Sequence, residues 1–125
     1  MKNILLYLWQ LPQNILGLLV ILFTQARYCN AGCWVTTKAC FGVSLGKYII
    51  FGQRMDEISL KHEQGHQKQS LYLGWLYLLI IGLPSITGNI YDRIAHKHWE
   101  YIKRYEWYYN QPWEKWADKL GGVER

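Results

Sequence analysis

Two histidines four residues apart, at the head of a mostly apolar run, set the strongest limit on how this chain can fold. In residues 58–84, ISLKHEQGHQKQSLYLGWLYLLIIGLP, His62 and His66 stand on either side of Glu63, and apolar residues dominate from Leu71 to Leu83. Side chains at i and i+4 share a face on an α-helix, so the spacing predicts a helix here. On that face two imidazoles can converge on one metal ion. Glu63 is the residue type that takes a proton from a water on such an ion. The helix is expected from Glu57 through residue 83, with Asp56 as its N-cap. Its apolar part, Leu71 to Leu83, is short for a bilayer crossing and reads as a re-entrant or protein-buried helix.

The first segment, ILLYLWQLPQNILGLLVILF (Ile4 to Phe23), is long enough for a membrane helix at about 1.5 Å per residue. Pro12 would kink or restart it. Gln10, Gln13 and Asn14 interrupt its apolar character, which argues for a retained helix over a cleaved signal peptide. Facing inward, these amides could hold a helix contact or line a site. Residues 28–56 are rich in β-branched and aromatic side chains punctuated by Gly32, Gly42, Gly46 and Gly52. They predict two strands, Trp34 to Ala39 and Val43 to Phe51, in a hairpin or small sheet spanning 34–51. PSITGN, after Pro84, is expected to break the second helix. A return helix follows over 91–109, then a short one over 112–120, with Pro112 in its first turn and Gly121–Gly122 as its stop.

With 125 residues the chain supports one domain of modest core. Seven Trp and ten Tyr are a heavy aromatic load, of the kind that gathers at membrane–water interfaces. The net charge of +5 suits an anionic surface. The basic residues are scattered and no nucleic-acid-binding motif occurs, so membrane lipids are the expected partner and nucleic acid is not. Cys29, Cys33 and Cys40 form no C-x-x-C pair, so a disulfide framework is not indicated and reduced cysteines are expected, with one disulfide as the alternative.

Two histidines are one ligand short of a catalytic zinc site. Glu114, in PWEKWADKLGG, is the expected third, ahead of His96, His98 and Glu57. Asp118, four residues on, can accept the other ring N–H of a ligating histidine. A helical hairpin brings them back into reach. From His62 to Pro84 a helix would run about 33 Å out, and from Tyr91 to Tyr109 about 28 Å back. The return helix carries Arg93, Lys97, Glu100, Lys103 and Arg104, each costing at least about 2.5 kcal/mol at a bilayer centre. The site is therefore expected near the membrane surface, with partly embedded helices.

HExxH (His62–His66) followed on a later helix by E-x-x-A-D (Glu114–Asp118) resembles the gluzincin metallopeptidases, especially the membrane-embedded CaaX-prenyl-protease type and its bacterial heat-shock relatives. The likeness rests on those two motifs and the apolar strand before the first, and this chain is much shorter than those enzymes. Gly65 also fits the H-E-x-G-H of site-2 proteases, whose second L-D-G signature is missing. The resemblance implies a mainly α, membrane-associated fold with a small β-hairpin or sheet, the HExxH helix packed against the E-x-x-A-D helix. It implies Zn2+ held by His62, His66 and Glu114, with Glu63 activating its water. It further implies a peptide or membrane-protein substrate laid along an edge strand at Gly46, Lys47, Tyr48 and Ile49, in a cell membrane of bacterial type. His98, Tyr108 and Tyr109 are candidates to stabilise the oxyanion. The competing expectation is a non-catalytic membrane protein that keeps the fold and binds a partner.

Overall fold

The computed structural model describes residues 2–29, 32–38, 42–52 and 56–125. Pro12 and the amides around it split the first apolar segment into α1 (Lys2–Trp9) and α2 (Leu11–Thr24), with an 88° bend between their axes. No single helix in the described chain is long and apolar enough to cross a membrane. The amides face inward, as polar groups in an apolar helix must if they are to find partners. Gln13 Nε2 donates to Ser70 Oγ (2.8 Å) and to the Gly74 carbonyl (2.9 Å). Ser70 Oγ donates to Gln10 Oε1 (2.6 Å). Asn14 donates to the Tyr7 carbonyl and accepts from the Lys47 N–H (2.7 Å), tying the helix pair to the sheet.

The sheet has four strands, β1 (Arg27–Cys29), β2 (Cys33–Val35), β3 (Gly42–Leu45) and β4 (Tyr48–Phe51), in the order β1-β2-β4-β3. β2 and β4 run parallel, and the other pairs are antiparallel. This corrects the expected hairpin at three points. A first strand precedes it, the strand at Trp34 ends by Val35, and the run Val43 to Phe51 is itself a hairpin. Its turn is Gly46–Lys47, with Gly46 at φ +65°, where a Cβ would strike Asn14. Cys29 and Cys33 face each other across β1 and β2 and form a disulfide, so these two are not reduced thiols. Cys40 lies outside the described residues. One face of β4 joins Ile50 to Ile21 and Leu45 in the core, and the other joins Ile49 and Phe51 to Cys33.

Asp56 N-caps α3 (Glu57–Leu73) as expected, accepting from the Ser59 N–H at 2.7 Å. α3 does not continue to residue 83. Gly74, at φ +55°, opens a 3-10 turn (Gly74–Leu76), a π turn follows at Leu78–Gly82, and the chain bends by 118° into α4 (Leu83–Ala95). The hairpin thus turns at Gly74–Gly82. PSITGN is helical, because Pro84 sits in the first turn of α4, where its missing N–H costs nothing. The expected return helix over 91–109 is two pieces, the end of α4 and α5 (Tyr101–Tyr109), separated by a turn. α6 (Pro112–Gly121) starts at Pro112 and stops at Gly122, φ +75°.

Candidate metal centre

α3 and α6 lie against each other with almost no side chain between them. A Cβ on Gly65 would fall on the main-chain carbonyl of Ala117, and one on Gly121 on the carbonyl of Lys61. Glycine is what permits this approach. Its result is that Glu114, one turn before Ala117, comes beside the histidine face of α3. His62, His66 and Glu114 are all buried, and one ligand atom from each lies within 4.8 Å of the others.

The ring orientations are fixed from behind. His62 Nδ1 donates to Asp118 Oδ1 at 2.7 Å, and His66 Nδ1 donates to Gln69 Oε1 at 2.6 Å. Gln69 is itself aligned by donating to the Trp113 carbonyl (2.9 Å). Both Nε2 atoms then point to one oxygen, Glu114 Oε2, at 2.9 Å from His62 and 3.1 Å from His66. Ser85 Oγ donates to the other oxygen, Oε1, at 2.6 Å, and the Tyr108 hydroxyl follows Ser85 at 3.1 Å.

Without a cation, protons hold this cluster together. Burial disfavours the His62 charge, but hydrogen bonds to Asp118 and Glu114 outweigh it and bring the pKa up to about 9. His66 moves the same way: burial opposes its charge, and Glu114 outweighs it. Burial would raise Glu114, yet the two histidines and Ser85 hold it well below the usual carboxylate range. Asp118 is likewise held low against burial, by His62 and Arg125. A divalent cation would take the place of the two Nε2 protons, with both backing hydrogen bonds kept.

Glu63 differs from its neighbours. It is buried, its Oε2 has no hydrogen-bond partner, and burial raises its pKa against the pull of both histidines. Two imidazoles and a carboxylate, buried and converging, are a donor set that fits a divalent metal ion.

The remaining expected residues sort by position. Tyr109 sets its ring edge-on to His62 at 5.1 Å between centroids, and Tyr108 reaches the cluster through Ser85. His98 is exposed in the turn after α4 and makes no contact with the cluster. His96 is buried elsewhere, against Asp92 (3.0 Å), and Glu57 is exposed beside Lys61. Asp118 pairs with Arg125 rather than a neighbouring lysine, Nε to Oδ2 at 2.7 Å, and the Arg125 guanidinium lies 3.6 Å over the Tyr109 ring.

The expected substrate edge moves. Gly46 and Lys47 form a turn, while Tyr48 and Ile49 belong to β4, which lies between β2 and β3 in the sheet order. The strand at the sheet margin beside Glu63 is β3: a Cβ on Gly42 would lie 3.5 Å from Glu63 Oε1. The Tyr77 hydroxyl donates to the Ser44 carbonyl of that strand at 3.0 Å.

The sequence reading missed Gln69, Ser85 and Arg125. Gln69 had a signal, since it stands three residues after His66 on the same helical face. Compared with protein-family models, curated proteins and solved structures, the chain matches none.

Proposed function

We propose that the chain is a membrane-associated zinc metallopeptidase that hydrolyses peptide bonds, with Glu63 as its general base. The observation that carries this is the unpartnered, buried Oε2 of Glu63 beside the His62/His66/Glu114 group. A purely structural site has no use for a bare carboxylate there. Zinc, held through Nε2 of both histidines and the Glu114 carboxylate, would supply a water of pKa near 7 and a polarised scissile carbonyl. Glu63 accepts the proton of the attacking water and passes it to the leaving amine. Asp118 and Gln69 keep the imidazoles from turning. An extended peptide would pair with the margin of β3, once the Tyr77 hydroxyl leaves the Ser44 carbonyl. Tyr108 and Tyr109 are the candidate donors to the oxyanion.

A second reading, a metal-bound protein without catalysis, draws on the closed cluster in which Glu114 already satisfies both histidines. Glu63→Gln separates the two. On the peptidase reading the variant keeps its zinc and loses peptide hydrolysis by about 10²–10⁴-fold. Hydrolysis at the parent rate in Glu63→Gln, or none by zinc-loaded parent protein on a diverse peptide mixture, overturns the peptidase reading.

A further inference from the structure

The chain has no Asp, Glu, Lys or Arg between Lys2 and Arg27, and none between Lys68 and Asp92. The first stretch holds one bent helix pair, Asn3–Trp9 with Leu11–Thr24, and the second lies around the bend of the other, Glu57–Leu76 with Leu78–Ala95. Their bends meet at one end of the molecule. The Trp9 indole N–H donates to the Leu71 carbonyl, and the Trp75 indole N–H donates to the Leu8 carbonyl, each at 2.8 Å. Gly74 lies so close to the Trp9 ring that a Cβ would strike it.

Polarity is reversed across these pairs. Gln10, Gln13, Asn14, Gln69 and Ser70 are buried, while Leu16, Leu19, Leu22, Phe23, Trp75, Leu76, Leu79, Ile80 and Leu83 are exposed, Leu22 at 72% and Phe23 at 81%. Water does not favour such an arrangement, and an apolar patch this large marks a partner. The arms are short. α1, α2 and α4, of 8, 14 and 13 residues, are about 12, 21 and 20 Å long, against a hydrocarbon core of about 30 Å. α2 and α4 are long enough to cross one leaflet of about 15 Å, α1 falls just short of it, and none can cross a bilayer. The stretches are flanked by Arg27, Lys68 and Arg93, whereas Asp92 is already paired with Arg104 at 2.9 Å. That balance complements anionic headgroups.

We propose that the two bent pairs enter one leaflet of an anionic lipid bilayer tip first and leave on the side they entered. This deepens the membrane part of the proposed function and does not depend on peptide hydrolysis. His66 stands eight residues before Gly74, about 12 Å along the helix axis, so the metal centre lies at the level of the headgroups. The substrate it can reach is a peptide segment at that surface.

The test uses the full chain with Cys40→Ser, adding either Leu76→Cys at the tip or Glu124→Cys at the open end. Each purified variant is mixed with preformed vesicles of phosphatidylcholine and phosphatidylglycerol and treated with a membrane-impermeant maleimide, outside or entrapped in the lumen. A circular dichroism spectrum matching that of the parent shows that each variant is folded. The expected result is Glu124→Cys labelled from outside, and Leu76→Cys labelled from neither side until detergent is added. Labelling of Leu76→Cys from the lumen overturns the one-leaflet seating, because the chain then crosses. Labelling from outside as fast as Glu124→Cys also overturns it, because lipid does not cover the tip. Protection of Leu76→Cys that persists in mild detergent overturns it in favour of a second copy of the chain. Zinc content and peptide hydrolysis are read separately, so their loss leaves this result standing.

Discussion

Asp118 and Gln69 hold the two imidazoles with Nδ1 occupied and Nε2 turned toward Glu114, the arrangement a metal ion could use. Asp118→Asn should weaken zinc binding by about 10–100-fold while leaving the fold intact, measured by competition with a chromophoric chelator. The protons set a pH dependence of opposite sign with and without metal. His62 is raised to about 9 in the metal-free protein, so its contribution to stability is complete below its unfolded value of about 6.5. That contribution disappears as pH climbs through 9. Zinc must displace those protons, so its affinity rises over the same range. Thermal unfolding of chelator-treated protein should show a falling Tm from pH 6.5 to 9, and the upward shift on adding zinc should grow. A zinc shift that shrinks with pH would contradict the proton-loaded cluster. At this scale the site was largely legible. Histidines at i, i+4 and an acid pair at i, i+4 carry their helical geometry in their spacing. Arg125 and Ser85 reach in from segments with no periodic pattern, and nothing in the sequence marked them.

Glycines at the α3–α6 contact decide how well those residues meet. Gly65 lies between the ligating histidines and has no room for a methyl group, the obstacle being backbone that cannot step aside. Gly65→Ala should destabilise the protein by about 1–3 kcal/mol or more and reduce zinc affinity as well, because α6 must move and takes Glu114 with it. Denaturant melts and a zinc titration on one preparation would check both. Unchanged zinc affinity would show that the site does not depend on the close approach. Asn14 bridges α2 to the β3–β4 turn, and Asn14→Ala leaves the Lys47 N–H without its acceptor. A loss of about 1–3 kcal/mol is expected, read as a lower denaturant midpoint. Elements were less legible than residues. The bend between Leu76 and Leu78 falls where a 3-10 turn meets a π turn inside a mostly apolar run, where hydropathy is blind to direction. The turn at Gly46–Lys47 hid in a run of β-forming residues, so two strands read as one and the sheet margin was assigned to the wrong strand.

For the molecule as a whole, the outer surface of the two bent pairs is apolar and the amides are inside, which ties its behaviour to what surrounds it. In buffer without lipid or detergent the purified chain should associate, and a mild detergent should return it to a monomer with its zinc content unchanged, as light scattering and elemental analysis would report. The charge-free stretches bear on biogenesis too. Neither stretch holds an Asp, Glu, Lys or Arg, so none has to be carried through hydrocarbon for the bends to sink in. A spanning segment cannot avoid that transfer when polar domains flank it on both sides, and the transfer costs several kcal/mol per charge. On the proposed one-leaflet seating, the chain would fold first and dock afterwards, with no translocation machinery. Purified protein added to empty vesicles should float with them unaided.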